Sequence, residues 1–232
     1  MMFLTFDYLI YMVPAIILMA ITSWYVKAAY NKWSRVQASS RMTGYQAAQR
    51  LVAAAGLYDV QIKGISGNLS DRYDPRDNTL YLSRGVADSP SVAALAVAAH
   101  ELGHAQQDRE GYLLLRLRSA LVPMVNIGST MGWVFIVLGM LLRWADLAWL
   151  GVFAFAGGTV FALATLPVEF NASARARQLL GDAGIIRGEE EQRGVRNVLN
   201  AAALTYVAGL VTAVLQLLYY VTLAGGIGRR RS

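Results

Sequence analysis

Four apolar stretches constrain this chain more than any other feature of its sequence, because each is long enough to cross a membrane as a helix. They run from Tyr8 to Val26, from Leu121 to Leu142, from Leu147 to Leu166 and from Ala201 to Ile227. A helix rises about 1.5 Å per residue, so roughly twenty residues span the ~30 Å hydrocarbon layer of a bilayer. Hydrophobic residues make up 56% of the chain, which is too apolar for a soluble globule. The sequence therefore predicts a mostly α-helical, multi-pass membrane protein.

Basic residues beside the first apolar stretch predict its orientation. Four of them follow it closely: Lys27, Lys32, Arg35 and Arg41. Since cytoplasmic segments retain Lys and Arg, residues 27–118 are expected on the cytoplasmic side of the plasma membrane, and residues 167–200 should return to that side. Four full crossings would leave the basic tail, Arg229-Arg230-Arg231, on the outer side, against this rule. One stretch is therefore miscounted, re-entrant or lateral, or the rule is overridden here.

The distribution of charge and the lack of cysteine narrow the function classes. The net charge of +6 comes from basic residues that flank apolar stretches rather than from a dense cluster interleaved with aromatics, so no nucleic-acid partner is expected. Without cysteine the chain has no disulfides, no thiolate metal ligands and no cysteine nucleophile. A transition-metal site would have to use histidine, aspartate or glutamate side chains.

Between the first two apolar stretches, local signals predict helices and strands. Thr43 can cap a helix that runs to about Ala55 and stops at Gly56. VQIKGI alternates like a strand, and LSDRYDPRDNTLYLS is typical of two short strands around an Asp-Pro-Arg-Asp-Asn turn. Ser89 and Pro90 then provide the N-cap and the first residue of a long helix. A small sheet is thus expected just before that helix.

The only two histidines of the chain lie on that helix, in the sequence HELGH. Residues four apart face the same side of a helix, so His100 and His104 can bind one ion together. Glu101 projects from the neighbouring side of the same turn, where it can take a proton from a zinc-activated water, as the pattern H-E-x-x-H requires. The alternative is a chance spacing of two histidines, and the position of the motif on a capped, polar helix argues against it.

A hydrolytic zinc site normally has three protein ligands and one open position, so the third ligand here must be a carboxylate. Asp108 lies on the same helix but a further turn along the axis, too far to share the ion. Glu169 is favoured because it follows an apolar stretch, where Pro167 can start a helix whose alanines pack against the motif helix. A solvated charge at the membrane boundary is the alternative role for Glu169. The other candidate ligands are Asp59, Asp71, Asp74, Asp77, Asp88, Glu110, Asp182 and Glu189 to Glu191.

Four ordered motifs between residues 40 and 210 resemble one protein family: YDPRDNTLYLS, HELGHAQQ, LPVEFNASARA and AAALTYVA. Together they are similar to the bacterial membrane-bound neutral zinc metallopeptidases of the YugP type, distant relatives of the membrane heat-shock and CAAX-type proteases among the gluzincins. The resemblance implies a zincin-like active-site helix, one zinc ion per chain and polypeptide substrates. It also implies that His100, His104 and Glu169 bind the zinc and that Glu101 is the general base.

Three details of the resemblance stay open. The heat-shock group has an aspartate four residues after the ligand glutamate, where this chain has Ser173, so Ser173 and Asn171 are only candidates for orienting the ligands. An oxyanion donor must be Tyr, Arg or Asn, and Tyr206 is chosen over Arg175 and Arg177, although interface packing and charge anchoring are their alternative roles. In gluzincins an edge strand before the motif helix commonly pairs with substrate, and TLYLS takes that position unless it is an ordinary hairpin strand.

These observations favour a membrane-embedded zinc endopeptidase that cuts polypeptides, including membrane proteins, at the cytoplasmic surface of the lipid bilayer. An intramembrane protease is one alternative, but it needs the motif inside a spanning stretch, and only Val92 to Ala99 is continuously apolar. A zinc-binding membrane scaffold without proteolysis is another, and it would have no need of Glu101. The small polar part leaves little room for a regulatory domain, so an oligomer or a regulatory partner could control access.

The apolar and polar stretches divide the chain into five predicted segments. An N-terminal transmembrane anchor is favoured over a signal peptide, because no Lys or Arg precedes the first apolar stretch and the stretch is longer than a signal core. The segments are the anchor (1–30), a catalytic region with the small sheet and motif helix (31–120), a transmembrane hairpin (121–166), a polar segment with the third-ligand helix (167–200), and an apolar helix with a basic tail (201–232).

Overall fold

The computed structural model describes residues 6–229, apart from the side chains of Met124 and Arg229. Within that range the chain forms seven helices and three strands, so the prediction of a mostly helical protein with a small sheet is confirmed. The helices are α1 (Phe6–Trp33), α2 (Gly44–Ala54), α3 (Arg84–Ala87), α4 (Val92–Arg109), α5 (Leu113–Leu141), α6 (Ala145–Asp182) and α7 (Gly188–Arg229). The strands are β1 (Gln61–Ile65), β2 (Arg72–Asp74) and β3 (Thr79–Ser83).

The four apolar stretches of the sequence fall in α1, α5, α6 and α7. By length and hydropathy, α1, α6 and α7 can each cross a membrane. In α5, Leu113–Pro123 and Val125–Leu141 meet at a 45° bend next to Pro123, and together they make a fourth candidate. Among the described residues the chain thus has three candidate spans, or four with the bent helix. Arg230 and Arg231 of the basic tail lie outside the described residues.

The chain divides into two compact units. Of the described residues, the apolar unit comprises 6–22, 116–166 and 205–229, and the polar unit comprises 23–115 and 167–204. Helices α1, α5, α6 and α7 each contribute residues to both units. The apolar unit has a small core around Ile136, Val152 and Tyr219. The polar unit has a larger core, in which the alanine-rich α4 is buried along most of its length.

The sheet of the polar unit has the strand order β1-β3-β2. β1 runs parallel to β3, while β2 and β3 form the antiparallel hairpin that the sequence predicts. The prediction of TLYLS (β3) as an edge strand is wrong, because β3 pairs on both sides and is the central strand. The parallel partner β1 is not part of the hairpin, so the hairpin signal alone could not place it. The edge strand beside the motif helix is β2.

Two predicted boundaries are confirmed. Thr43 caps α2 in a reciprocal pair of hydrogen bonds with Gln46, and Gly56, with a φ of +67°, follows the end of the helix. The chain turns between α5 and α6 where the two apolar stretches are separated, since α5 ends at Leu141 and α6 begins at Ala145.

The predicted start of α4 at Ser89 and Pro90 is wrong by two residues. Ser91 is the N-cap, and its Oγ accepts a hydrogen bond from the N–H of Ala94 at 3.2 Å. Pro90 and Ser91 are held by a separate segment, because Pro90 accepts a backbone hydrogen bond from Ala38 and Ser91 pairs with Gln37. This pairing joins residues far apart in sequence, so it delays the helix in a way that no local signal indicates.

The prediction that Pro167 starts a new helix is also wrong. α6 is continuous from Ala145 to Asp182, and Pro167 lies inside it. A proline removes only one backbone N–H, and leaving the helix beside an apolar stretch would expose more unpaired backbone groups than that. Glu169 is therefore carried by the same helix as the third apolar stretch.

Candidate metal centre

In the polar unit, α4 and α6 make a very close contact at a glycine. A Cβ atom on Gly103 would lie only 2.5 Å from the backbone oxygen of Ala172, so any side chain at this position would force the helices apart. His100 and His104 flank Gly103 along α4, and Glu169 lies three residues before Ala172 on α6. The close approach of the two helices therefore lets the side chains of His100, His104 and Glu169 meet.

His100, His104 and Glu169 direct their donor atoms to one point. The Nε2 atom of His100 lies 3.2 Å from Oε2 of Glu169, and the Nε2 atom of His104 lies 3.6 Å from the same oxygen. All three side chains have little solvent exposure, with 14%, 12% and 2% exposed for His100, His104 and Glu169. Among the described residues they are the one group of histidine and acidic side chains placed to share a metal ion.

The donor set fits zinc. Zinc in proteins is bound by imidazole nitrogens and carboxylate oxygens at about 2.0–2.2 Å in a tetrahedron, which puts neighbouring donor atoms roughly 3.3 Å apart. The two nitrogen-to-oxygen distances of 3.2 and 3.6 Å agree with that spacing. Three protein donors would leave a fourth position open, as in hydrolytic zinc sites.

Each histidine has a polar partner behind the face that it turns to Glu169. Nδ1 of His104 lies 3.0 Å from Oε1 of Gln107, and Nδ1 of His100 lies 3.3 Å from Oγ of Ser173. Such partners fix the orientation of an imidazole ring, so both rings can present Nε2 to an ion. Ser173 was among the candidates for this role, whereas Asn171 accepts hydrogen bonds from Gln107 and Arg175.

Gln107 belongs to a longer chain of hydrogen bonds. It is fully buried, and its Nε2 donates to the backbone oxygen of Val168 at 2.9 Å and to Oδ1 of Asn171 at 2.8 Å. Arg175 donates its Nε–H to the same Oδ1 at 2.7 Å, and its two terminal nitrogens bond to the two carboxylate oxygens of Glu110 at 2.8 and 2.6 Å. This series of hydrogen bonds thus links α4 to α6 just beside His100, His104 and Glu169.

Glu101 is held by the edge strand of the sheet. Its Oε2 accepts a hydrogen bond from the backbone N–H of Tyr73 in β2 at 3.0 Å. The hydroxyl of Tyr73 in turn lies 2.9 Å from Oδ2 of Asp108, one turn beyond the motif. Tyr73 therefore attaches β2 to α4 at two points, one of which fixes the carboxylate of Glu101.

Burial and the neighbouring charges shift the pKa values of two groups of the motif. Burial raises the pKa of the Glu101 carboxyl above its usual value, against the effect of the nearby histidines. Burial alone would lower the pKa of His104, but the hydrogen bond with Glu169 and the charge of Glu101 outweigh it and raise that pKa. The neighbouring charges thus outweigh burial at His104 but not at Glu101.

The remaining carboxylates that the sequence offered as ligands are not part of the cluster. Several have other partners: Asp71 accepts hydrogen bonds from Ser83, Asp74 from Arg76, Asp77 from Tyr81, Asp108 from Tyr73, Glu110 from Arg175 and Glu191 from Ser39.

The three candidate oxyanion donors lie in different surroundings. Arg175 uses its Nε and both terminal nitrogens in the bonds to Asn171 and Glu110. Arg177 is exposed and lines a small cavity with Gln192 and Arg196. Tyr206 is a partly buried residue of α7 that belongs to the apolar unit, whereas the cluster belongs to the polar unit.

Sequence reasoning missed Gln107 and Tyr73. The sequence HELGHAQQ contains Gln107, three residues after His104 and hence on the same side of a helix, which is a signal that could have found it. Nothing local indicates Tyr73, because its backbone N–H rather than its side chain contacts Glu101.

Comparisons with known proteins extend over nearly the whole chain. Residues 8–225 match the family described as "Putative neutral zinc metallopeptidase". The chain is 44% identical over 196 residues to the "Putative membrane protease YugP" of Bacillus subtilis, in a match that covers 84% of this chain and 87% of that protein. No solved structure gives a significant match. The family match includes the apolar stretches, so the likeness is not confined to the HELGH motif.

Proposed function

The chain belongs to this YugP-type family of zinc metallopeptidases, and from that premise we propose that it is a membrane-embedded zinc endopeptidase of the gluzincin type. The convergence of His100, His104 and Glu169 on one point, with Glu101 on the same turn of α4, supports the proposal most directly. The pattern H-E-x-x-H with a more distant glutamate binds one zinc ion and hydrolyses peptide bonds.

His100, His104 and Glu169 are the proposed ligands of one zinc ion per chain. Two neutral imidazoles and one carboxylate leave the ion with a net positive charge and an open position. When bound, zinc supplies a Lewis acid that polarises the carbonyl of the peptide and makes a water molecule easier to deprotonate. The side chains of the three proposed ligands have little solvent exposure.

Glu101 is the proposed general base. The N–H of Tyr73 holds one of its carboxylate oxygens, so the other can take a proton from the attacking water and pass it to the leaving amine. The hydrogen bond from Tyr73 thus fixes the direction in which Glu101 presents its second oxygen.

Tyr206 is proposed as the donor to the oxyanion that forms on the carbonyl. The engagement of Arg175 with Glu110 and Asn171 supports this choice, because those nitrogens already have acceptors. A phenolic hydroxyl can donate one hydrogen bond to a developing negative charge. Tyr206→Phe should therefore lower kcat more than it raises KM, which steady-state kinetics would measure.

Three or four candidate membrane spans and the basic residues after the first apolar stretch support the proposal of a multi-pass protein with its site at the cytoplasmic surface of the plasma membrane. In this proposal residues 1–30 are the anchor, residues 31–120 and 167–200 carry the chemistry, and residues 121–166 and 201–232 form the remaining membrane part. The substrates are polypeptide segments near the bilayer, including those of membrane proteins. An oligomer or a regulatory partner would control access.

The test compares wild type, Glu169→Ala and Glu189→Ala after purification in detergent. Glu189 is an exposed acid in the first turn of α7, so it is a matched control for the loss of a carboxylate. Zinc content and cleavage of an unfolded fluorescent protein are measured on the same samples. Wild type and Glu189→Ala should hold about one zinc per chain and cleave, whereas Glu169→Ala should lose both.

Other outcomes point to the alternatives. Zinc without cleavage in wild type would favour a zinc-binding membrane scaffold or an enzyme that needs a partner. Cleavage only of transmembrane segments, and not of the unfolded protein, would favour intramembrane proteolysis. Unchanged zinc in Glu169→Ala would rule out Glu169 as a ligand.

A further inference from the structure

The most informative group outside the ligand set is the side chain of Gln107. It is fully buried, although a primary amide has two donors and one acceptor oxygen to satisfy. It lies three residues after His104 on α4 and bonds to both helices that carry the cluster. Burying an amide is costly unless its hydrogen bonds are made, so its presence here calls for a reason beyond packing.

The hydrogen bonds around Gln107 have a fixed direction. An arginine side chain can only donate, so the Asn171 atom that meets Nε of Arg175 must be the acceptor oxygen. The Gln107 atom that meets this oxygen must then be the donor nitrogen. The backbone oxygen of Val168, which can only accept, requires the same orientation independently.

This orientation determines which nitrogen of His104 carries a proton. With both hydrogens of its Nε2 used by Val168 and Asn171, Gln107 presents Oε1 to Nδ1 of His104. An acceptor at 3.0 Å requires a proton on Nδ1, and a neutral imidazole then has its free lone pair on Nε2. Nε2 is the atom that faces Glu169.

The end of this series of hydrogen bonds that is farthest from His104 is also fixed in place. Arg175 makes two parallel hydrogen bonds to the carboxylate of Glu110, at 2.8 and 2.6 Å, which fix the plane of its guanidinium group. The guanidinium fixes Asn171, Asn171 fixes Gln107, and Gln107 fixes His104. His100 has no comparable support, because the hydroxyl of Ser173 at 3.3 Å can either donate or accept.

We propose that Gln107 is a positioning residue that holds His104 with its Nε2 lone pair toward the metal, and that Asn171, Arg175 and Glu110 set its direction. The inference rests on the proposed function, since it concerns how the zinc ligands are prepared. The inference goes beyond the proposed function because it assigns the orientation of His104 to the buried amide of Gln107 and to the Arg175–Glu110 ion pair that supports it. The sequence had left this orienting role open.

A first experiment measures zinc affinity, by competition with a chelator of known affinity, in the full chain in detergent. Gln107→Leu removes the acceptor for His104, and Gln106→Leu makes the same change one residue away, at a side chain that is partly exposed. Loss of an outer partner of a metal-bound histidine typically weakens metal binding about 10- to 100-fold. We expect that loss in Gln107→Leu and an affinity close to wild type in Gln106→Leu.

A second pair of variants separates direction from packing and does not depend on whether Gln107→Leu folds. Asn171→Asp keeps an acceptor oxygen for both Gln107 and Arg175, whereas Asn171→Leu keeps the bulk but removes the acceptor. We expect Asn171→Asp to bind zinc close to wild type and Asn171→Leu to bind it about tenfold more weakly or worse. A role in packing alone predicts the reverse order, because aspartate adds a charge to a half-buried position.

The outcomes distinguish this inference from the proposed function. If wild type binds no zinc, the proposed function fails and the inference fails with it. If wild type binds zinc and both Gln107→Leu and Asn171→Leu bind it equally well, the inference is overturned while the proposed function stands. Weak binding by Asn171→Asp and Asn171→Leu alike would also overturn it, because the acceptor would then not be what matters.

Discussion

Two parts of α6 each pack closely against a neighbouring helix at a glycine, but only one of these contacts lies beside the candidate metal ligands. In the apolar unit, a Cβ atom on Gly151 would lie 2.5 Å from the backbone oxygen of Gly132 in α5. In the polar unit, a Cβ atom on Gly103 would lie equally close to the backbone oxygen of Ala172 in α6. Both contacts depend on missing side chains, but only the second has potential metal ligands beside it.

The difference between the Gly151 and Gly103 contacts shows that the same close packing of helices can serve different roles. Between apolar helices in a bilayer, small residues allow the close contact that holds helices together when the hydrophobic effect offers little. In the polar unit a core of buried alanine and leucine residues already does that, so the contact at Gly103 is free to set the spacing of polar groups. Substitutions in the two parts should therefore affect different measurements.

The largest expected effect lies in the polar unit and involves no packing change. Glu101→Gln removes the proposed base but keeps the shape of the side chain and an oxygen that can accept from Tyr73. We expect cleavage to fall by about 10²- to 10⁴-fold, with zinc content and thermal unfolding unchanged. Cleavage of the fluorescent substrate at wild-type rates would contradict the assignment of Glu101.

Gly103→Ala should give the next largest effect. The added methyl group must push α4 and α6 apart, which costs about 1–3 kcal/mol of stability and separates the histidines from Glu169. We expect zinc affinity to fall by roughly tenfold or more. Gly181→Ala on α6 is the control, because a Cβ there has nothing within 4 Å. Equal zinc affinities in the two variants would mean that the contact does not set the ligand spacing.

Gly151→Ala should produce the opposite pattern in the apolar unit. Its Cβ would lie 2.5 Å from Gly132 and 2.7 Å from the backbone nitrogen of Ile136, so we expect a loss of about 1–3 kcal/mol in stability. Zinc affinity of the folded protein should stay at the wild-type level. Thermal unfolding in detergent and chelator competition measure the two quantities, with Gly157→Ala, which has open space around its Cβ, as the control. A zinc loss like that of Gly103→Ala would break the comparison.

The smallest expected effect comes from a matched pair of hydroxyls on α6. Ser173 contacts His100, whereas Thr165 donates within its own helix to the backbone oxygen of Phe161, and both are nearly buried. Ser173→Ala should weaken zinc binding about fivefold, the equivalent of one hydrogen bond of ~1 kcal/mol. Thr165→Val should leave zinc binding unchanged. If the two variants have the same zinc affinity, Ser173 does not orient His100.

Sequence alone could predict the parts of the molecule that depend on local spacing. The apolar stretches, the cap of α2, the hairpin of β2 and β3 and the spacing of His100 and His104 all follow from residues close together in the chain. Glu169 could be favoured because it follows an apolar stretch and precedes Ala172, Ala174 and Ala176, which permit close packing. A match to a family of zinc peptidases agrees with that reading of the motif.

What could not be predicted depends on contacts between distant segments. β3 becomes a central strand only because β1 joins it in parallel, and α4 begins late because residues 90–92 pair with residues 36–38. Gln107 meets partners 61 and 64 residues away on α6. A motif on one helix can indicate a metal site. The side chains that orient the metal ligands depend also on the element that packs against that helix, which local sequence does not reveal.

Pro167 gives α6 a mechanical weak point two residues before Glu169. A proline lacks the N–H that would tie it to the preceding turn, so a helix bends most easily there. On the far side of this point, the amide of Gln107 clamps the backbone at Val168, next to Glu169. Bending of the apolar part of α6, as when a bilayer thins or thickens around it, would therefore be absorbed at the proline. Glu169 would then keep its place against the two histidines.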